Sequence, residues 1–102
     1  MIHASIKECN LIKKILKKHL PPQTKVWAFG SRATGKRLKR FSDLDLAVDI
    51  GKPMPLRLVS QLEEDFSESL LPYRVDVIDW ASTKPYFKKI VESDFVPLNF
   101  LE

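Results

Sequence analysis

A chain of 102 residues holds one core, which excludes a second substrate-binding lobe, and the whole of 1–102 reads as a single domain. Its hydrophobic content of 44% and charged content of 29% exclude a disordered or low-complexity protein. Seventeen Lys and Arg against thirteen Asp and Glu leave a net charge of +4, which favours an anionic ligand such as a nucleotide but is too little to claim a nucleic-acid binder.

The first element in the chain is an amphipathic helix over Ser5–Leu20, with Ile6, Cys9, Ile12, Leu16 and Leu20 at helical spacing and lysines on the other sides. That apolar stripe is needed to cover a sheet, so the lysine face is read as solvated and not as a membrane or nucleic-acid surface. Cys9 is the only cysteine, which rules out an internal disulfide and reads as a buried thiol. No apolar run approaches the ~20 residues of a membrane span, no targeting segment is visible, and the expected compartment is the cytoplasm. His3 and His19 lack metal-ligand spacing and read as bystanders.

Pro21-Pro22 stops the helix, and Val26–Phe29 follows as a short buried strand closed by the tight turn Gly30-Ser31, where a phosphate could sit. Arg32 to Arg40 then carries five cations in nine residues. Two readings stay open for them: Arg32 is structural or phosphate-facing, and Lys36 to Arg40 meets an acidic partner surface or only water.

Asp43 to Ile50 is the second strand. In Asp43-Leu44-Asp45-Leu46 the period of two sends both aspartates to one face and both leucines to the other. Carboxylates at i and i+2 lie about 7 Å apart and can converge on a pair of divalent cations about 4 Å apart, for which hard oxygen ligands suggest Mg²⁺. Any half-exposed strand shows the same alternation, and the preceding Gly-Ser turn is what gives the pair a chemical meaning.

Gly51-Lys52-Pro53 breaks this strand ahead of a helix from about Pro55 to Leu71, with Leu58, Leu62, Phe66 and Leu70 as its buried stripe and Glu63, Glu64, Asp65 and Glu68 facing water. Arg74–Trp80 is a third strand. Burial of Val75 and Val77 would turn Asp76 to the face of Asp43 and Asp45, and would leave Asp79 to serve the following turn. Ser82 is placed to cap a last helix, with Pro85 in its first turn and Phe87, Ile90 and Val91 against the sheet. The tail bearing Phe95, Val96, Leu98, Phe100 and Leu101 is apolar enough to suggest a homodimer or hetero-oligomer, unless it packs on its own chain. The expected architecture is α/β (α+β): a small mixed sheet with helices mainly on one face and the acids on the open one.

The stretch Gly30-Ser31-Arg32-Ala33-Thr34-Gly35 followed by Ser42-Asp43-Leu44-Asp45 resembles the signature of the DNA polymerase β nucleotidyltransferase superfamily, in its minimal nucleotidyltransferase branch. The resemblance implies Mg²⁺-dependent transfer of NMP, in the first instance AMP from ATP, to an acceptor hydroxyl with release of pyrophosphate. It implies Asp43, Asp45 and Asp76 as catalytic residues and ligands of two Mg²⁺ ions, and Gly30, Ser31 and Arg32 as the nucleotide-binding group. It also implies a HEPN-domain partner protein, in several systems a toxin to which such a chain is the antitoxin. The alternative is a regulatory binding module with little or no catalysis. A drug-modifying or nucleic-acid-extending enzyme is disfavoured, since no lobe remains to recognise such an acceptor.

Overall fold

A computed structural model describes residues 2–101. Its first helix, α1 (Ile6–His19), begins on a capping box: the Ser5 hydroxyl accepts from the Glu8 amide and the Glu8 carboxylate accepts from the Ser5 amide. Ile12, Ile15 and Leu16 are its buried face, while Ile6 is 84% exposed. At about 100° per residue, Ile6 stands about 120° away from Ile12 around the helix, so it leaves the stripe and Ile15 joins it. Cys9 is half-buried, not buried.

The remaining elements are β1 (Lys25–Phe29), a one-turn α2 (Ser31–Thr34), β2 (Leu44–Asp49), α3 (Leu56–Glu68), β3 (Val75–Asp79), a 3₁₀ turn (Trp80–Ser82), α4 (Pro85–Asp94) and β4 (Val96–Pro97). The sheet order is β3-β2-β1-β4. β1 runs antiparallel to β2 with Phe29 opposite Asp45, and β2 runs parallel to β3 with Asp45 opposite Asp76. The crossover α3 makes that parallel pairing possible.

On one face Val26, Ala28, Leu44, Leu46, Val48 and Val75 pack with Ile12, Leu16, Leu62 and Phe66 to form the core. The opposite face is only partly open. Trp27 stacks on Phe95 at 5.3 Å and lies 5.5 Å from Trp80, Phe29 meets Phe87 edge-on at 6.2 Å, and Val91 is buried, so α4 and the 3₁₀ turn cover the aromatic part of this face. Helices therefore sit on both sides, with α1 and α3 the larger layer.

Two expected stripe positions fall outside their helices' packed faces. Ser69 ends α3 early, because its hydroxyl donates to the Phe66 carbonyl at 2.6 Å and accepts the Leu71 amide at 3.3 Å. Leu70 is thereby 89% exposed. In α4 the buried residue is Val91, and its neighbour Ile90, about 100° round the helix, is 61% exposed.

The apolar tail finds its partners within the chain. β4 pairs with β1, the Leu98 amide donates to the Val26 carbonyl at 2.8 Å, and Phe100 is buried, so the tail itself no longer argues for an oligomer. Among the described residues no helix is long and apolar enough to cross a membrane.

Candidate active site

β1 delivers Gly30 to the edge of the partly open face with φ +76°, a conformation that side chains disfavour. A Cβ at Gly30 would lie 2.5 Å from Oδ2 of Asp45. The backbone of the turn therefore runs directly against that carboxylate, and only glycine permits the approach. Behind it, the Ser31 and Arg32 amides open α2 with no intrahelical acceptor, so they are available to an anion, although a four-residue helix carries no appreciable summed dipole.

Asp45 is half-buried, and its carboxyl is pushed up to about 6 by burial first and then by the charges of Asp76 and Asp43. The three aspartates thus form one electrostatic unit. Asp43 stands one residue ahead of β2, and Asp76 shares the Asp45 face through the parallel register. Among the described residues no group of three His, Cys, Asp or Glu side chains forms a ready-made metal cage. Asp76 Oδ1 accepts from Arg74 Nη2 at 3.2 Å, an exposed pair.

Asp79 is held elsewhere, as strand parity requires. Its Oδ2 accepts from the Met54 amide at 3.0 Å and the Ser82 hydroxyl at 2.7 Å, and its carbonyl accepts from Thr83 Oγ1 at 2.7 Å. Ser82 therefore serves this turn and does not cap α4, whose N-cap is Lys84 with Pro85 in the first turn.

Arg32, expected beside Gly30 and Ser31 as a nucleotide ligand or else structural, is only 5% exposed. Its Nε donates to the Ser42 carbonyl at 2.7 Å, Nη1 to the His3 carbonyl at 2.8 Å and Nη2 to the Arg40 carbonyl at 2.9 Å. Its guanidinium carbon also lies 3.6 Å from the centroid of the Tyr73 ring. That environment faces its own chain and no phosphate. Tyr73 in turn donates to Glu8 Oε1 at 3.0 Å, and burial followed by this bond raises its phenol well above the usual range.

Sequence reasoning missed Tyr73 and Glu8. The Ser5-x-x-Glu8 capping signal was readable, but the meeting of Arg32 with a tyrosine 41 residues later carried no local signal. His19 is no bystander either: its Nε2 lies 2.6 Å from Asp65 Oδ2, tying α1 to α3, and with Lys18 it holds the Asp65 carboxyl below its usual range.

The sequence profile of the nucleotidyltransferase domain family matches residues 9–98. The chain is 46% identical over 89 residues to a Haemophilus influenzae protein named "Probable protein adenylyltransferase MntA", covering 87% of this chain and 76% of that one. It is 37% identical over 98 residues to a Methanocaldococcus jannaschii protein also named for protein adenylyltransferase activity, covering 89% and 98%. Among solved structures it is similar in fold to a toxin-antitoxin crystal structure with AMP-PNP, with a TM-score of 0.74 at 24% identity over 88% of this chain and 71% of that one. It is also similar to a complex of tri-AMPylated Shewanella oneidensis HEPN toxin with MNT antitoxin, with a TM-score of 0.68 at 21% identity over 91% and 71%.

Proposed function

Because this chain belongs to the nucleotidyltransferase domain family and is a nucleotidyltransferase, we propose that it moves AMP from ATP to a hydroxyl on a partner protein, a HEPN-domain toxin, and so acts as its antitoxin. The observation that carries this reading is the contact of Gly30 with Asp45, which sets an anion-accepting turn against a carboxylate coupled to Asp43 and Asp76.

In this reading the Gly30-Ser31 turn binds the triphosphate through backbone amides and the Ser31 hydroxyl, with the missing Cβ letting the turn lie against the Asp45 carboxylate. The acceptor oxygen attacks the α-phosphorus, a new P–O bond forms as the bond to the β-phosphate oxygen breaks, pyrophosphate leaves, and the hydroxyl proton passes to solvent water. Asp43, Asp45 and Asp76 fit Mg²⁺ by donor chemistry, being hard oxygens whose mutual repulsion a cation relieves. When bound, such ions supply charge neutralisation for the attacking and leaving oxygens. Arg32 belongs to this reading as a positioning residue, since it fixes the carbonyl of Ser42 next to Asp43 and follows Ser31 directly.

A second reading, a partner-binding module with little catalysis, is favoured by one observation: Arg74 already engages Asp76. Incubation with α-labelled ATP and the partner separates the two. Label transferred to the partner by the native chain and lost in Asp45→Asn supports the enzyme; tight complex formation with no transfer in Mg²⁺ or Mn²⁺ supports the module.

A further inference from the structure

Lys36, Arg37, Lys39 and Arg40 place four cations and no carboxylate within five residues. All four are exposed, and among the described residues none of them forms an ion pair. Phe41 beside them is 62% exposed, with the Arg40 guanidinium 5.4 Å from its ring centroid.

A run of cations that only meets water needs no fixed backbone, yet this one is pinned along its length. The Lys36 amide donates to Thr34 Oγ1 at 3.1 Å, the Lys39 amide to Ser42 Oγ at 2.8 Å, and the Ser42 amide to the Lys39 carbonyl at 3.1 Å. The buried Arg32 holds the Arg40 carbonyl, and Arg37 adopts φ +55°, which costs a non-glycine residue free energy. A rigid loop has already lost the entropy that binding would otherwise remove. In the chain it joins two parts of the candidate site, starting just after α2 and ending two residues before Asp43.

We propose that Lys36–Phe41 is a docking surface for an acidic protein segment that carries the acceptor hydroxyl. This rests on the transferase reading and names what it recognises. An acidic segment would otherwise be repelled by Asp43, Asp45 and Asp76, and four cations in the segment between α2 and β2 would steer its approach. The loop suits a protein better than a nucleic acid. Its cations sit in two adjacent turns within five residues and are not strung along a backbone-length groove, and Arg40 already covers one face of the aromatic ring a base would stack on. Arginine beside an exposed aromatic is the composition of protein-interface anchors.

The test measures binding, so it does not depend on catalysis. Fluorescein-labelled random Glu/Tyr copolymer, Lys/Tyr copolymer and oligouridylate are titrated with the native chain by anisotropy at fixed salt, and ATP is titrated in parallel. The same is done for Lys36→Gln/Lys39→Gln/Arg40→Gln, which leaves the pinned backbone groups in place, and for Lys36→Glu alone should the triple variant melt early. The expected result is preference for the Glu/Tyr copolymer, a loss of about tenfold in that affinity in the variant, and ATP affinity within about twofold of native. Unchanged copolymer binding, preference for oligouridylate, or loss of ATP affinity in its place would each overturn the proposal. A native chain that binds the acidic copolymer but never transfers AMP would sink the transferase reading and leave the docking surface standing.

Discussion

Of the three glycines Gly30 has the closest neighbour, the Asp45 carboxylate, and each of these two residues makes a separate expectation. Gly30→Ala adds a Cβ at φ +76° within 2.5 Å of the Asp45 carboxylate, so it should lower stability by about 1–3 kcal/mol and abolish nucleotide binding, as read by thermal melts and ATP titration. Asp45 titrates the other way from a salt-bridged carboxylate. Its folded pKa, about 6, lies above the ordinary 3.8, so the folded chain takes up the proton first and becomes more stable as pH falls through that window. In EDTA the melting temperature contribution of this group should therefore rise from pH 7 to pH 4.5, and Asp45→Asn should remove that rise while leaving the native melt at pH 7 equal or higher. A flat difference between the two proteins across this range would refute it. Arg32→Lys keeps the charge but cannot span three carbonyls, and about 2–4 kcal/mol of stability should be lost. Were Arg32 a phosphate ligand, stability would hold and ATP affinity alone would fall. At this scale the aspartates were legible because alternation is a local property. The closeness of Gly30 to Asp45 and of Arg32 to Tyr73 was not, since both depend on elements that meet only in the folded chain.

β3 shows what an element decides that a residue does not. Val75 and Val77 face the core side, so Asp76 joins Asp45 and Asp79 turns towards Met54 and Ser82. Asp76→Asn should abolish AMP transfer with little change in melting temperature. Asp79→Ala should leave the Met54 amide without its acceptor and cost about 1–3 kcal/mol while sparing the transfer chemistry. Parallel assays of transfer and unfolding check both, and the reverse pattern would overturn the assignment. Helices and strands were legible from periodicity to within a residue or two at most ends. The errors fell where local hydrogen bonding or helical phase intervenes: Ser69 stopping α3 before Leu70, the rotation that leaves Ile6 in water, and Ser82 bonding Asp79 in place of a helix amide.

For the molecule as a whole, the succession of strand and helix patterns was a sound guide to a mixed α/β sheet but silent on strand order, because pairing partners lie far apart in sequence and nothing local names them. The apolar tail is the clearest case. It read as an interface and instead closes the sheet, so Phe100→Ala should cost about 3–5 kcal/mol in denaturant unfolding while leaving the native oligomeric state by light scattering unchanged. A change in oligomeric state without loss of stability would restore the interface reading. The strand order also has a consequence for biosynthesis. β1 and β2 are close in sequence and can pair once both have left the ribosome, but Asp76 can reach Asp45, and Tyr73 can reach Arg32, only after α3 and β3 have followed. Gly30-Ser31, Asp43 and Asp45 can therefore come together before Asp76 joins them, so on the proposed function the transfer chemistry would have to wait for the completion of folding.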